Sequence, residues 1–312
     1  MGKINRSDLK VVSAMRLKRI LNCFVLCVGV SSVFIWREGQ LASVSQAEPA
    51  PLSEEVLAQK DVPYVPTPKE VVTKMLQLAS VTKNDVVYDL GSGDGRLVIE
   101  AAKLGAKGVG VELNTRLVVE SRENAISAGV RDRVRFIEQD LFKTDLTPAT
   151  VITLYLLPKV NLQLRPTLLQ LKPGTRLVSH QFDMREWKPD QTELVQVGSR
   201  PHLVYYWVVP AQVSGTWEWN MPTASGEERY KLQLTQEFQR VKGTLSIGDR
   251  VIKLTDAKLT GDRLSFKTVE SVNGTEVTMQ FDGKIQEDAI AGSVDLGGNE
   301  AQRRDWVAKR QS

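Results

Sequence analysis

Between Val86 and Arg96 the sequence reads V-V-Y-D-L-G-S-G-D-G-R, an apolar strand running into Asp89 and then into glycines at alternate positions, Gly91, Gly93 and Gly95. Glycine at such positions lets a backbone turn tightly and lets a small molecule lie against it, where a Cβ would clash or forbid the required φ. The spacing separates ligands. A dinucleotide loop reads G-x-G-x-x-G and cradles a pyrophosphate, whereas here one acid precedes the first glycine and another, Asp94, lies inside the loop. Asp89 and Asp94 are expected to repel a pyrophosphate and to suit the sulfonium and α-ammonium of S-adenosylmethionine (SAM), with Gly91, Ser92, Gly93 and Gly95 lining its bed. A second acid closes the next apolar strand in G-V-G-V-E-L-N: Glu112 lies about twenty residues beyond the glycines, where a carboxylate holds both hydroxyls of a ribose. A third, Asp140 in F-I-E-Q-D-L-F, is placed to accept from the adenine amino group while Leu141 packs on the ring. Three acids at the carboxyl ends of three successive strands define one crevice of an open α/β sheet.

The elements that must position these residues follow from periodicity. A stretch rich in Pro, Ala and Glu leads to Pro68, which opens a helix carrying Val71, Val72, Met75, Leu76 and Ala79 at helical spacing. Helices stopped at Gly105 and Gly129 then alternate with the strands ending at Glu112 and Gln139, so the sheet is parallel. The run V-I-T-L-Y-L-L (Val151–Leu157) is a buried strand, and Pro158 starts a Leu-rich helix. Thr192–Val197 and His202–Val209 have no helix between them and are expected as an antiparallel hairpin at the sheet edge. The fold class is therefore α/β, a Rossmann-like, doubly wound, seven-stranded sheet over residues 64–210. Beyond Pro210, period-two alternation (Tyr230, Leu232, Leu234; Leu264, Phe266; Val277, Met279, Phe281) predicts a small all-β barrel or sandwich over 211–312, with Asn273-Gly274 as a hairpin turn rather than a glycosylated sequon. Gly215, Trp217 and Trp219 at its start, with Trp306 and Arg310 at its end, look like the termini of a lipocalin-type barrel, where a late Arg stacks on an early Trp. Closure by terminal strands without a ligand cavity explains the same residues.

The chain has 312 residues and a formal charge of +4, but residues 1–47 alone hold seven Lys/Arg against two Asp/Glu. The rest is close to neutral and lacks the basic footprint of a nucleic-acid binder, so neither RNA nor DNA is expected as partner. Both cysteines, Cys23 and Cys27, fall in the same leader, and the only histidines, His180 and His202, stand in separate segments; no metal site is expected. Six basic residues from Lys3 to Arg19 precede an uncharged run from Ile20 to Trp36, and Ser45-Gln46-Ala47 resembles a signal-peptidase site. Residues 1–47 thus read as a signal peptide or an N-terminal membrane anchor, and 48–63 as a linker. The body is then membrane-associated through this segment, or exported if the leader is cleaved.

Y-V-P-T-P (Tyr64–Pro68), D-L-G-S-G-D-G-R (Asp89–Arg96), G-V-E-L-N (Gly110–Asn114), S-R-x-x-A (Ser121–Ala125) and Asp140-Leu141 together resemble one family of class I SAM-dependent methyltransferases. It contains the mitochondrial lysine methyltransferases that act on ATP synthase and on the adenine nucleotide translocase. The resemblance spans Tyr64 to Trp187 and implies SAM as cofactor and a lysine ε-amine as methyl acceptor; the β tail is not part of the mitochondrial enzymes, and Ser179–Trp187 matches only loosely. Tyr155, at the carboxyl end of the fourth strand, is the candidate for orienting the acceptor or for catalysis, with Asp183 and His180 behind it. Thr67 is placed to close over the methionine carboxylate. The expected activity is N-methylation of a protein lysine at or near a membrane. The rivals are methylation of a lipid or small amphiphile, and a catalytically silent SAM-binding scaffold.

Overall fold

The structure, a computed structural model, describes residues 64–223, 226–272, 275–297 and 303–311. The leader and linker read above lie outside the described residues, as do Asn273 and Gly274. Among the described residues no helix is long and apolar enough to cross a membrane.

Seven strands form the first sheet: β1 (Val86–Leu90), β2 (Lys107–Glu112), β3 (Val134–Glu138), β4 (Val151–Leu154), β5 (Arg176–His180), β6 (Gln191–Val197) and β7 (Arg200–Val208). Their order is β3-β2-β1-β4-β5-β7-β6. β1 to β5 run parallel, while β7 pairs antiparallel with β5 and β6 with β7, the edge hairpin expected from the missing helix. The order reverses between β1 and β4, and the crevice at the carboxyl ends of the strands opens there.

Helices α1 (Lys69–Leu78), α2 (Arg96–Lys103), α3 (Thr115–Ser127) and α4 (Pro158–Leu168) cover both faces. Val71, Val72 and Met75 of α1 and Leu97 and Ala101 of α2 pack with Val87, Val151 and Val178 on one side. Leu164 and Leu168 of α4 pack with Tyr88, Leu90, Ile152 and Leu177 on the other. Strand residues point alternately to the two faces, so both are apolar and the strands are buried runs. Asn114 starts α3 by accepting from the backbone N–H of Arg116 at 3.0 Å, which satisfies a donor that the helix itself leaves free. Below the site, Asp85 ties the starts of β1 and β5 together. It pairs with Arg176 and accepts from the Thr82 N–H at 2.7 Å and from the Thr150 hydroxyl at 2.8 Å, and these donors hold its carboxyl below the usual range against the cost of its burial.

Nine strands form the second sheet: β8 (Gly215–Thr223), β9 (Gly226–Glu237), β10 (Arg240–Ile247), β11 (Arg250–Lys253), β12 (Thr255–Thr260), β13 (Arg263–Val272), β14 (Thr275–Gln286), β15 (Ala289–Leu296) and β16 (Arg304–Arg310). Their order, β11-β10-β9-β8-β16-β15-β14-β13-β12, is an antiparallel meander in which the last strand returns to pair with the first. The two ends of this ladder, β11 and β12, are successive strands joined at Leu254. One sheet curls around one core, with Trp217, Phe266 and Phe281 fully buried inside it; this is the barrel alternative, not the sandwich. Arg310 lies across Trp217 with its guanidinium carbon 4.2 Å from the ring centroid, the stacking expected from the two ends of the sequence. Val272 pairs with Thr275 across the β13–β14 connection. Both sheets lie in one compact unit.

Candidate functional site

The crevice is built from the glycine loop outward. Gly91, Gly93 and Gly95 all take positive φ (+77°, +53° and +81°), a region closed to most side chains. The loop is fixed beneath by the N–H groups of Gly91 and Ser92, which donate to the Val111 carbonyl at 2.8 and 3.0 Å. At Gly95, the turn into α2, a Cβ would come within 2.7 Å of Phe136 and 2.8 Å of Ser121, so this glycine serves helix-to-sheet packing. The Ser92 hydroxyl is buried without a partner, facing Gly110 of β2 and not the open crevice.

Asp89, one residue before the end of β1, lies beside Thr153 of β4, whose hydroxyl donates to its Oδ1 at 2.7 Å. It is 5% exposed. Burial pushes its carboxyl up to about 7; the Thr153 hydroxyl works against that shift, and the nearby charges of Glu112 and Asp94 add to it. Among the described residues no cation pairs with it. A buried carboxyl poised near neutrality and lacking a counter-ion is a candidate site for a cationic ligand.

Glu112, at the end of β2, is held by three backbone donors. Its Oε2 accepts from Gly93 N–H at 2.9 Å, and its Oε1 accepts from Leu113 and Asn114 N–H at 2.9 and 3.0 Å. The carboxylate is thereby fixed at the loop, with acceptor capacity left on Oε2 for a hydroxyl donor. Asp140 lies beyond the end of β3, its Oδ1 accepting from Phe142 N–H at 3.0 Å, and half-buried Leu141 packs against the core beside it. The adjacent strand end adds Glu138, which pairs in register with Glu112 and accepts from the Thr115 hydroxyl at 2.7 Å.

Asp94 differs from the sequence expectation. Its carboxylate is forked by Arg96, with Nε 2.9 Å from Oδ1 and Nη2 2.6 Å from Oδ2, and that guanidinium holds it below the usual carboxylate range despite burial. Its charge is spent on the loop and is not presented to a ligand. The same arginine donates to the Thr67 carbonyl at 2.9 Å, which ties the segment ahead of α1 to the glycine loop. Tyr64 of that segment lies on the loop: a Cβ at Gly93 would sit 2.2 Å from its ring, and its hydroxyl accepts from Asp94 N–H at 3.3 Å.

Thr67 is buried, its hydroxyl 3.3 Å from His180 Nδ1. His180 is the last residue of β5 and fully buried. Its Nε2 meets His202 Nδ1 at 2.9 Å, so two histidines distant in sequence meet in space. Burial, with His202 adding, lowers its pKa to about 4, and the ring is neutral at physiological pH. Tyr155 lies against it, tilted by 36° with centroids 3.9 Å apart, and Phe182 stacks on Tyr155 at 6.4 Å. Asp183 caps the turn beyond, accepting from Arg185 N–H at 3.2 Å. The carboxyl ends of β4 and β5 thus carry an uncharged aromatic wall next to the acidic donor side.

The residues present fit SAM: a glycine bed, a fixed carboxylate for hydroxyls at Glu112, and at Asp89 a buried carboxyl without a cation. A family profile described as the ANTKMT methyltransferase domain matches residues 89–191. A protein-lysine N-methyltransferase of Saccharolobus islandicus is 46% identical over 151 residues, covering 47% of this chain and 94% of that protein. A lysine N-methyltransferase of Caenorhabditis elegans, named for its action on ATP synthase, is 33% identical, over 48% of this chain and 84% of its own length. A solved structure titled an RNA methyltransferase from Salinibacter ruber in complex with S-adenosyl-L-homocysteine is 55% identical over 48% of this chain and 96% of that one, at a TM-score of 0.45. With its acidic, glycine-lined crevice and the two lysine N-methyltransferases matched over 94% and 84% of their lengths, the chain belongs to the class I SAM-dependent methyltransferases of the protein-lysine N-methyltransferase family.

Proposed function

We propose that this methyltransferase transfers the methyl group to the ε-amine of a lysine in a protein held at or near a membrane. The observation that carries the acceptor assignment is the uncharged wall of Tyr155, His180 and Phe182 at the carboxyl ends of β4 and β5. Relatives named for lysine N-methylation, from Saccharolobus islandicus, Caenorhabditis elegans and mouse, support it. The basic and apolar leader supports the membrane.

A lysine must shed its proton before it can attack, and from an ordinary pKa near 10.4 this costs about 5 kcal/mol at pH 7. Aromatic faces attract the ammonium on arrival, whereas a dry site with neutral His180 does nothing to stabilise the charge afterwards. SAM, when bound, supplies an electrophilic methyl on sulfur. Asp89 would balance its charge, Glu112 would hold its hydroxyls, Asp140 and Leu141 would hold its base, and Thr67 would close over its methionine carboxylate, with Tyr64 lying on the loop. Orientation of this kind is worth on the order of 7–11 kcal/mol.

The test is incubation of the full chain with methyl-labelled SAM and a membrane fraction, followed by separation into protein, lipid and RNA and mapping of labelled residues by mass spectrometry. Label on lysine of a membrane protein is expected, and lost with Asp89→Ala. Label in lipid or RNA overturns the acceptor assignment. Absence of label anywhere, with SAM still bound, leaves the scaffold reading.

A further inference from the structure

The turn between β9 and β10 leaves its own sheet. Phe238, the first of its two residues, packs with the core of the first sheet, its ring stacked on Trp187 at 6.1 Å and 12°. The Arg165 guanidinium covers it at 5.7 Å while donating to the Met184 carbonyl at 3.0 Å and pairing with Glu186 at 2.6 Å. Next to it, Gln239 donates to the Lys188 carbonyl at 2.7 Å. Every one of these partners except Arg165 belongs to the connection between β5 and β6.

Phe238 also has a φ of +55°, at a hairpin position where glycine or asparagine is the unstrained choice. A phenylalanine kept there bears a backbone cost, and such outliers persist where the surroundings over-determine them. The strand pairing of Glu237 with Arg240 needs only a turn, not this ring. What needs the ring is Trp187, fully buried and fixed from behind by the Trp207 indole N–H, which donates to its carbonyl at 2.9 Å.

The connection so clamped begins at the acceptor wall. Phe182 faces Tyr155, and its carbonyl accepts from the Ser179 hydroxyl at 2.6 Å and from the Asn161 amide at 3.3 Å. Gln181 and Arg185 within it take φ of +69° and +58°. β5 holds one end, Arg165 holds the Met184 carbonyl between, and Trp187 under Phe238 holds the other end.

We infer that Phe238 is a positioning residue for the acceptor side: through Trp187 it fixes residues 181–187 and with them the Phe182 face of the wall, which makes the second sheet part of the methyl-transfer apparatus. This rests on the acceptor face proposed above. Hydrogen exchange of the 181–187 segment, which needs no acceptor, is measured on the full chain as wild type, Phe238→Ala, Phe238→Leu and Phe238→Tyr. Donor affinity is read by calorimetry with S-adenosyl-L-homocysteine, and methyl incorporation with the labelled membrane fraction. In Phe238→Ala, exchange at 181–187 is expected to rise about tenfold, donor affinity to stay within about twofold, and incorporation to fall by roughly tenfold or more. Phe238→Tyr restores both, and Phe238→Leu, which keeps an apolar side chain but not the stack, is expected to shift both readouts in the same directions by less and decides the question if the alanine variant does not fold. Unchanged exchange at 181–187 overturns the inference, as does a parallel loss of donor affinity. Failure of incorporation in the wild type defeats the lysine reading alone, and the exchange data still decide the role of Phe238.

Discussion

Asp89 carries the sharpest electrostatic consequence. A carboxyl whose pKa is about 7 in the fold, against 3.8 unfolded, binds its proton more tightly in the folded state, so its contribution favours folding at low pH and is lost as pH rises from about 4 to about 7. At full ionisation the penalty is about 4 kcal/mol. Asp89→Asn is therefore expected to raise ligand-free stability in urea at pH 8 while weakening donor binding, opposite signs in two measurements on one protein. A cationic donor selects the ionised form, so affinity for SAM should be about eightfold weaker at pH 6 than at pH 7.5, with proton release on binding; a flat profile contradicts the role given to Asp89. Its position was legible because an acid at a strand end before alternating glycines has few other uses. The role of Asp94 was not, because its neutraliser, Arg96, stands two residues away and only the folded loop turns the two together. The pairing of His180 with His202 was hidden for another reason, since antiparallel β5 and β7 decide it across 22 residues of sequence.

The glycines divide into two kinds at the scale of elements. Gly93→Ala sets a Cβ 2.2 Å from the Tyr64 ring at a φ of +53°, which displaces the strap that covers the loop; a loss of donor affinity of about tenfold is expected, together with the roughly 1–2 kcal/mol of stability that alanine loses at such a φ. Gly110→Ala instead drives a Cβ to 2.5 Å from Phe136 and 2.7 Å from Ser92 within the packed sheet, and should cost about 1–3 kcal/mol of stability, read by urea unfolding. Equal effects of the two on affinity would erase this division. Strand and helix order was readable because both faces of the central strands β1, β4 and β5 are covered, leaving mostly apolar runs between amphipathic helices. The strap was not: Y-V-P-T-P has no periodicity, and its contacts with Arg96 and His180 depend on where the sheet ends.

The whole molecule joins a methyltransferase sheet to a curled nine-stranded meander that the aligned relatives, matched over 47–48% of this chain, leave largely without a counterpart. Alternation and the terminal Trp217 and Arg310 announced the meander, but nothing in the sequence marked Phe238 as the residue that crosses to the other sheet, because a two-residue turn normally faces water. Arg310 also donates to the carbonyls of Ser214 and Gln212, both at 2.6 Å. Arg310→Ala is thus expected to cost about 2 kcal/mol in urea unfolding without moving donor affinity; coupled loss of both would mean that closure of the meander reaches the donor crevice. The central claim, that the acidic crevice holds a sulfonium donor, is tested most directly by calorimetric titration of the full chain with SAM and with S-adenosyl-L-homocysteine, beside Asp89→Asn and Glu112→Ala. One site per chain binding both compounds is predicted, with affinity lost in Glu112→Ala for both and, in Asp89→Asn, more strongly for charged SAM. Absence of heat with either compound in the wild type, or binding that survives both substitutions, contradicts the account.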